Sequence, residues 1–323
     1  MMQPNLLPKL SETPRVSVVI LNYKRLSALE QAVRSAVTQN YANREIIVVD
    51  NHSEEDVKSL VRGLAPEARL IELPENLGTC GGRNAGIREA QGDIIVTLDN
   101  DVQFASPFEL TKLVAKFQER PEIGILALQM CEAGSGELRV REWCHARNWK
   151  EYGQTEFETF YFVEGGSACR REVFEQAGLY YAPLFIGNEG HDLALRALDR
   201  GFRILYAPSI RVTHLMSSET RTSERPYFFY TRNYFWVACK DYRLLPGLQF
   251  LLPKVAMMAY FALRTGCKRA FLRGVWHGLK GLRKVYADRT PVKSATLDYI
   301  AEMERWRPGL MFRLARHKAQ PQI

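Results

Sequence analysis

Short apolar runs alternate with amphipathic segments along the first hundred residues of this chain. Each apolar run is continuous and rich in β-branched residues, which is typical of strands buried on both faces. The strands are predicted at residues 16–21, 45–50, 68–73 and 93–98, and the helices at 27–37, 57–64 and 82–90, with Ser53 as the N-cap of the second helix. Four alternations of strand and helix predict an α/β fold with a parallel sheet covered by helices on both faces.

The pattern is less regular between residues 100 and 225. Strands are predicted at residues 123–128 and 202–206, and helices at 107–120, 171–177 and 192–200. Gly201 is predicted to end the last of these helices, because glycine is common just past a helix C-terminus. Residues 131–161 are aromatic and turn-rich, and no regular element is predicted there.

The C-terminal third is helical by its pattern. Residues 227–242 predict an aromatic helix, and residues 244–263 are strongly apolar. Pro246, Pro253 and Lys254 interrupt the apolar segment, so no clean membrane-spanning helix is predicted. Residues 268–286 predict an amphipathic helix. Its apolar face carries Phe271, Leu272, Val275, Leu279, Leu282 and Tyr286, and its basic face carries Arg269, Arg273, Lys280 and Lys284.

Composition changes this picture mainly through charge. The 323 residues are 46% hydrophobic and 25% charged, as in a soluble globular protein, with a net charge of +8. Nine Lys and Arg residues, and no Asp or Glu, lie between Asp241 and Asp288. This localised charge favours peripheral contact with an anionic membrane, and the alternative is a packed annex with a solvated basic face. Nucleic acid is not expected, because the basic charge is confined to an amphipathic helix with few exposed aromatic residues.

The cysteines and the N-terminus indicate a compartment. The six cysteines have long, irregular spacings without a C-x-x-C pair, which favours reduced thiols in a cytosolic protein. No basic region followed by an apolar run begins the sequence, so no secretory signal is expected. Together with the basic helix, this predicts a cytoplasmic protein at the inner face of the plasma membrane.

Carboxylates follow two of the predicted strands. Asp99-Asn100-Asp101 comes directly after the fourth strand, and Asp50-Asn51 ends the second. Ligands of open α/β sheets bind beyond the carboxyl ends of the strands. The first motif can therefore hold a hard divalent cation that bridges phosphate oxygens, and Asp50 can accept a hydrogen bond from a base or ribose. The alternatives are a solvated acidic turn and a helix cap.

Residues 75–86 are rich in glycine and contain Arg83. Glycines let a backbone approach a ligand closely, and the helix that follows offers its positive N-terminus to phosphate. The alternative is a flexible glycine loop. The spacing is not that of the G-x-G-x-x-G dinucleotide fingerprint, which argues against a nicotinamide cofactor.

Together, these motifs resemble glycosyltransferase family 2, and are similar to bacterial surface-polysaccharide and rhamnosyltransferase-like members. The resemblance extends through residues 163–171 and 189–214 and covers roughly residues 15–240. It implies a GT-A fold, with a Rossmann-like, mostly parallel sheet flanked by helices and a C-terminal helical annex. The implied division is an N-terminal arm (1–14), a GT-A catalytic domain (15–225, with a nucleotide-binding half at 15–105 and an acceptor half at 106–225) and a basic helical region (226–323).

The resemblance also implies roles for residues that match the family's motifs. The implied nucleotide-sugar site consists of strand ends and the glycine-rich segment, namely Leu21, Asn22, Tyr23, Asp50, Asn51, Gly78, Arg83, Asn84, Asp99 and Asn100. The implied ligands of a divalent metal, Mn²⁺ or Mg²⁺, are Asp101, Asp99 and His214.

The catalytic base is where the sequence departs from the family pattern. The family commonly shows Glu-Asp-x-Asp before a Leu-x-x-Arg helix, and here Gly190 replaces the first Asp of that run. Three interpretations follow. Glu189 is the favoured base; Asp192 is the second candidate, although it is better placed to pair with Arg196 one turn along a helix. The third is a weak or inactive site.

The resemblance implies an enzyme that moves a sugar from a nucleotide-diphosphate-sugar (UDP-, dTDP- or GDP-linked) to a hydroxyl of a glycan or lipid-linked acceptor. Inversion at the anomeric carbon, metal dependence and a place in bacterial cell-surface polysaccharide or glycolipid assembly are further implications. One alternative is a nucleotide-sugar-binding protein with little activity. Another is a sugar-1-phosphate nucleotidyltransferase, which is disfavoured because residues 22–25 lack glycine.

Overall fold

The computed structural model describes residues 7–215 and 224–308. The strands are β1 (Val16–Asn22), β2 (Arg44–Asp50), β3 (Arg69–Glu72), β4 (Ile94–Asp99), β5 (Val102–Phe104), β6 (Ile123–Glu132), β7 (Phe157–Thr159), β8 (Gly166–Arg170) and β9 (Arg203–His214). The helices are α1 (Leu26–Val37), α2 (Val57–Leu64), α3 (Gly78–Glu89), α4 (Glu109–Glu119), α5 (Trp149–Tyr152), α6 (Arg171–Ala177), α7 (Glu189–Asp199), α8 (Glu224–Asp241), α9 (Leu244–Arg264), α10 (Lys268–Ala287) and α11 (Ser294–Glu304).

One sheet runs through the molecule in the order β3-β2-β1-β4-β8-β6-β9-β5, with β7 paired to β9. Strands β3, β2, β1 and β4 are parallel, as the alternation of strand and helix predicts. The second half is mixed, because β8 lies antiparallel between β4 and β6. Pairing Asn22 with Asp50 and Leu21 with Asp99 brings the carboxyl ends of β1, β2 and β4 to one edge. The topology therefore gathers the polar residues that follow these strands.

Alternate residues of each strand enter two hydrophobic cores, one on each face of the sheet. Val18 and Ile20 pack in the core that includes α1, α2 and α4. Val19 and Leu21 pack in the core that includes α3, α6 and α7. This two-residue period follows from the strand geometry, and it accounts for the continuous apolar runs, since both faces are covered.

The glycine-rich segment forms the first turns of α3 rather than a loop before a helix. The helix begins at Gly78, four residues earlier than the sequence predicts. A Cβ atom at Gly82 would lie 2.4 Å from Leu21, and one at Gly86 would lie 2.4 Å from Val19. These glycines therefore let α3 pack closely on the sheet, and the alternative of a flexible glycine loop does not hold for residues 78–86.

Helix α9 is continuous, so the interruption predicted for residues 244–263 is wrong. Pro246 lies in the first turn, where no intrahelical partner is needed for the backbone nitrogen, and Pro253 is accommodated inside the helix. Among the described residues, α9 is the one helix that is long and apolar enough to cross a membrane.

Helix α10 turns a different face inward from the one that its apolar residues predict. Cβ atoms at Gly274 and Gly278 would lie 2.7 Å from Phe228 and Phe235 of α8, so small residues form the packing face. Several large apolar side chains of α10 remain in solvent, with Leu272 62% and Trp276 64% exposed. The helix thus combines an exposed apolar stripe with basic residues.

Candidate active site

A cavity of about 640 Å³ opens at the carboxyl ends of β1 and β4, between the N-terminal turns of α3, α7 and α8. This position agrees with the rule that open α/β sheets bind ligands where the strand order reverses. Nine of the predicted site residues line it: Leu21, Tyr23, Asn51, Gly78, Arg83, Asp99, Asn100, Asp101 and Glu189. Five others lie behind this lining or beside it: Asn22, Asp50, Asn84, Asp192 and His214.

Side chains at the ends of β1 and β2 are hydrogen-bonded to one another. The Asn22 amide donates to Asp50 (3.1 Å) and to the Ser53 hydroxyl (2.9 Å), and Ser53 donates to Asp50. Asn100 donates to Asn22 (2.8 Å). The prediction that Ser53 caps α2 is therefore wrong. Asp56 is the N-cap, because its side chain accepts from Ser59 N–H (3.0 Å). The network fixes the floor on which a ligand would lie.

Asn51 and Asn84, two residues of the predicted nucleotide site, form hydrogen bonds with the backbone of other segments. Asn51 donates to the Gly78 carbonyl (3.1 Å) and accepts from Leu77 N–H (2.9 Å), which anchors the start of α3. Asn84 donates to the Tyr180 carbonyl (2.8 Å) and accepts from its N–H (3.0 Å). Asn51 also lines the cavity, whereas the Asn84 amide is engaged with the chain on the far side of α3.

Arg83 is buried at the cavity floor between two carboxylates. Its guanidinium donates to Asp99 (2.5 Å) and to Glu189 (3.2 Å). Burial alone would lower the pKa of Arg83, but the two carboxylates raise it above its usual value. Arg83 is therefore a permanent cation that links the strand end of β4 to the start of α7.

Asp101 lies between an arginine and a histidine. Its Oδ2 atom is 2.7 Å from Arg25 and 3.4 Å from His214 Nε2, and His214 Nδ1 is 2.6 Å from Glu142. Burial by itself would lower the pKa of His214, but hydrogen bonds to Asp101 and Glu142 raise it to about 9. Of the three predicted metal ligands, Asp101 and His214 are thus brought together, while Asp99 is turned toward Arg83.

The Asp101 carboxylate is the ligand type that hard divalent cations prefer, and His214 could join it as a ligand in its neutral form. In the described ranges, no three His, Cys, Asp or Glu side chains form a complete metal cluster. Mg²⁺ and similar ions are commonly bound by one or two protein ligands, with phosphate and water oxygens completing the coordination. Asp101 and His214 fit such an incomplete protein set, which a diphosphate would complete.

Helix α7 begins at Glu189, three residues earlier than predicted, and places its two acidic residues in different surroundings. Glu189 Oε1 accepts from Thr79 (2.6 Å) and Arg83 (3.2 Å), while its buried Oε2 atom has no hydrogen-bond partner among the described residues. Asp192 is fully buried and pairs with Arg196 (2.5 Å) and Lys240 (2.6 Å). The predicted pairing of Asp192 with Arg196 is confirmed.

Glu164 lines the cavity beside Glu189 and was not singled out from the sequence. It lies in the segment 163–171 that carries part of the family resemblance, but the pattern gave it no role. Its Oε1 atom accepts from Gly190 N–H at the start of α7. Burial and the nearby Glu189 raise the pKa of Glu164 to about 8.

Charge in the cavity is balanced between arginines and carboxyl groups. Among the described lining residues, Arg25, Arg83, Arg141 and Arg225 accompany Asp99, Asp101, Glu164 and Glu189. Arg25, Arg141 and Arg225 had no role assigned from the sequence, because only their tertiary positions bring them to the site. Aromatic and apolar residues line the side near α8: Tyr161, Ile186, Pro226, Phe229 and Tyr230.

Helix α8 of the C-terminal region helps to shape this cavity. Asn233 is fully buried and donates to the carbonyls of Leu184 (3.0 Å) and Gly187 (2.7 Å) in the segment before α7. Phe185 and Asn188 in that segment have positive φ angles of 63° and 67°. Such conformations are uncommon for residues other than glycine and need support from their surroundings. Asn233 supplies part of that support.

Comparison with known proteins places the chain. The sequence model described as "Glycosyl transferase family 2" matches residues 17–178, half of the chain, from the second residue of β1 through β8 and including Glu164. The chain belongs to glycosyltransferase family 2. The resemblance inferred from the sequence motifs is thereby confirmed.

Relatives of this family 2 chain include proteins of different lengths. It is 35% identical over 209 residues to "Uncharacterized glycosyltransferase YwdF" of Bacillus subtilis, covering 63% of this chain and 75% of that protein. It is 37% identical over 95 residues to "Succinoglycan biosynthesis protein ExoO" of Rhizobium meliloti, covering 29% and 27%. The match to a "GalNAc(5)-diNAcBac-PP-undecaprenol beta-1,3-glucosyltransferase" of Campylobacter jejuni is 34% identical over 110 residues, covering 33% and 35%. The chain thus aligns with about a third or less of the last two proteins.

Solved structures share the fold at lower identity. The mannosyltransferase PcManGT from Pyrobaculum calidifontis, in complex with GDP-Man and Mn²⁺, has a TM-score of 0.56 and 19% identity over 94% of this chain and 90% of its own. GalNAc-T7 with UDP, GalNAc and Mn²⁺ has a TM-score of 0.61 and 19% identity, over 90% of this chain and 57% of its own. The predicted GT-A fold is confirmed by these similarities.

Proposed function

We propose that this family 2 glycosyltransferase transfers a sugar from a nucleotide-diphosphate-sugar to an acceptor hydroxyl, with inversion and with a divalent metal. The observation that carries the proposal is a cavity lined by both Asp101, which lies 3.4 Å from His214, and Glu189. The first pair can hold a metal against a diphosphate, and the second group can accept a proton. The reacting carbon would lie between them.

The donor is proposed to occupy the half of the cavity formed by β1, β4 and α3. Leu21 and Tyr23 border the position of the base, and Asp99 and Asn100 border the position of the ribose. Asn22 and Asp50 act through the network that fixes these strand ends. Arg83, with Gly78 at the start of α3, lies where phosphates would approach, and Asn84 of the same helix holds the backbone of Tyr180.

Asp101 and His214 are proposed to hold Mn²⁺ or Mg²⁺, with Asp99 next to them on β4. The ion would neutralise charge on the departing diphosphate. PcManGT and GalNAc-T7 were both solved with Mn²⁺, which supports the choice of metal. Arg25 contacts the same Oδ2 atom of Asp101 that lies near His214.

Glu189 is proposed as the base, with Asp192 in a structural role. The Oε2 atom of Glu189, which has no hydrogen-bond partner among the described residues, can accept the acceptor hydroxyl proton while the acceptor oxygen attacks the anomeric carbon. General-base assistance of this kind contributes about 10²–10⁴-fold. Asp192 is already paired with two cations and lies outside the described lining of the cavity.

The acceptor is proposed to be a glycan or lipid-linked sugar in the assembly of a bacterial cell-surface polysaccharide or glycolipid. The names of the Rhizobium and Campylobacter relatives support this class of acceptor. The aromatic side of the cavity adjoins α8, on which α9 and α10 pack. The division into a catalytic domain at 15–225 and a basic helical region at 226–323 is proposed, with the boundary near the start of α8, and Asn233 of α8 hydrogen-bonds the segment before α7.

Peripheral contact with the inner face of an anionic plasma membrane is proposed for α9 and α10, in a cytoplasmic protein. Leu244 on α9 is 79% exposed, and Trp276 and Tyr286 on α10 are each 64% exposed. Exposed Lys and Arg residues accompany this stripe, and no carboxylate lies on either helix. Apolar burial in the interface combined with attraction to anionic lipid is the binding mode of amphipathic surface helices.

A donor screen tests the enzymatic proposal. UDP-, GDP- and dTDP-sugars are compared by thermal shift with and without Mn²⁺, and the release of nucleoside diphosphate is then measured with octyl glycosides as acceptors. One donor class is expected to raise the melting temperature in a Mn²⁺-dependent way and to turn over. Stabilisation without any turnover would instead favour the alternative of a binding protein.

Vesicle sedimentation tests the membrane proposal. The full chain is expected to bind phosphatidylglycerol vesicles and to bind phosphatidylcholine vesicles weakly. Changing Arg269, Arg273, Lys280 and Lys284 to Gln should release it, because each charge near an anionic surface is worth about 1 kcal/mol. A variant with four Lys and Arg residues of β1 to α4 changed to Gln serves as the matched control. Equal binding by all three proteins would overturn the proposal.

A further inference from the structure

Position 190 is the departure of this chain from its family pattern, and the structure shows what occupies the space there. A Cβ atom at Gly190 would lie 2.1 Å from Glu164 Oε1 and 2.5 Å from Glu164 Cδ. Gly190 N–H donates to that same Oε1 atom. The Glu164 carboxyl group therefore fills the volume into which a side chain at position 190 would extend.

Glu164 is fixed in this position through the sheet. Its carbonyl accepts from the Thr97 hydroxyl (2.7 Å), and the neighbouring Gly165 carbonyl accepts from Asp99 N–H (3.1 Å). A Cβ atom at Gly165 would lie 2.4 Å from the Asp99 carboxylate, so glycine is needed for this close approach. The segment carrying Glu164 is thus bound directly to the strand end that carries the proposed donor site.

Glu164 and Glu189 line the same cavity but differ in their hydrogen bonds and exposure. Glu189 is 4% exposed, its Oε1 atom is bound by Thr79 and Arg83, and its buried Oε2 atom has no partner among the described residues. Glu164 is partly exposed to the cavity and receives the Gly190 N–H. An unpartnered buried carboxyl oxygen beside a second carboxyl group is costly unless a ligand proton is shared there.

We infer that Glu164 supplies the carboxyl group that the family pattern places at position 190, and that it acts with Glu189 as a two-carboxyl base. This inference rests on the proposed transferase function. As the acceptor oxygen bonds to the anomeric carbon, the bond from that carbon to the diphosphate oxygen breaks, and the diphosphate keeps the electron pair. The acceptor proton passes to the Glu164–Glu189 pair and leaves later to solvent.

The electrostatics of the pair agree with this role. Burial and the proximity of Glu189 raise the pKa of Glu164, so protonation is favoured on one of two adjacent carboxyl groups. The positive charge of Arg83 lowers the pKa of Glu164 and so opposes this rise. A proton received from the acceptor is therefore held where two carboxyl groups and one guanidinium meet.

The isosteric variant Glu164→Gln is the first test. It keeps an oxygen for Gly190 N–H but removes the titratable carboxyl group. Nucleotide release from UDP-glucose, GDP-mannose and dTDP-rhamnose is measured with Mn²⁺ and octyl glycosides. We expect kcat for the donor used by the wild type to fall by about 10²-fold or more. The KM for donor should stay within about threefold, because the donor contacts lie elsewhere in the cavity.

Moving the carboxyl group back to position 190 is the sharper test. Glu164→Ala is expected to lose activity, and Gly190→Asp is expected to lose activity because its side chain meets Glu164. The double variant Glu164→Ala/Gly190→Asp removes that clash and restores a carboxyl group in the same space. It should exceed either single variant by at least about tenfold in kcat, a gain from coupling between sites in contact.

The outcomes separate this inference from the proposed function. If the wild type turns over no donor, the proposed function fails and the inference falls with it. If the wild type is active and Glu164→Gln equals it, the inference alone is wrong. A folded double variant, shown by circular dichroism, that is no better than Glu164→Ala would also overturn it.

Discussion

The first turn of helix α7 carries two carboxyl groups, Glu189 and Asp192, whose surroundings differ. Glu189 on the cavity side has one oxygen bound and one without a partner among the described residues. Asp192 lies outside the lining of the cavity and is bound by Arg196 and Lys240. Burial alone would raise the pKa of Asp192, but these two cations lower it to about 2. An incompletely satisfied carboxyl group is available for chemistry, whereas a fully paired one stabilises the fold.

Loss of the proposed metal ligand Asp101 should have the largest effect on activity. Asp101→Ala is expected to abolish Mn²⁺-dependent donor turnover, because Asp101 is the carboxylate of the proposed metal pair. Nucleotide release across a Mn²⁺ titration measures this. Asp192→Asn is the control, because Asp192 lies outside the lining of the cavity. Full activity in Asp101→Ala would remove the metal assignment.

Glu189→Gln should have the next largest effect. The amide keeps the size of the side chain but cannot take a proton, so kcat is expected to fall by about 10²–10⁴-fold. Donor affinity, measured by calorimetry, should be unchanged. Transfer at the wild-type rate would show that the base lies elsewhere.

Asp192→Asn tests the structural role of Asp192. The change removes the carboxylate shared by Arg196 and Lys240 in a buried position and leaves Lys240 paired with Asp241 (2.7 Å). Removing one partner of a buried ion pair typically costs about 3–5 kcal/mol, which urea unfolding would measure. The folded variant should keep a far higher kcat than Glu189→Gln, and the reverse order would contradict the division of roles.

The smallest expected effect concerns His191, which lies between the two carboxyl groups in sequence. It is buried, stacks on Phe250 of α9 at 5.1 Å and lies 3.0 Å from the Tyr242 hydroxyl. Burial, and then Lys254, lower the pKa of His191 to about 3. A lowered folded-state pKa stabilises the protein above the unfolded pKa of about 6.5, and this stability is lost as the pH falls toward 3.

The wild type should therefore lose unfolding free energy relative to His191→Gln by about 1.4 kcal/mol per pH unit below pH 6. Urea unfolding at pH 8, 6, 5 and 4 measures the difference between the two proteins. It should be constant above about pH 7. A difference that stays constant down to pH 4 would mean that His191 is not held neutral.

Much of the nucleotide-binding half could be predicted from the sequence. The apolar runs of β1 to β4 and the acidic residues after β4 follow from local patterns, because strand burial and strand ends are encoded over a few residues. The sequence also predicts α6 at its observed bounds and places Gly201, with φ of 88°, just beyond α7. These features depend on neighbours along the chain.

The tertiary structure alone decided which side chains meet across long sequence separations. Glu164 reaches the space beside Gly190, Ser53 binds Asp50 instead of capping a helix, and β8 enters the sheet antiparallel. Similarly, α10 packs by its glycines because α8 offers a close surface, so its large apolar residues stay outside. Periodicity specifies that a residue is buried or exposed, but pairing depends on which distant segment the fold places opposite it.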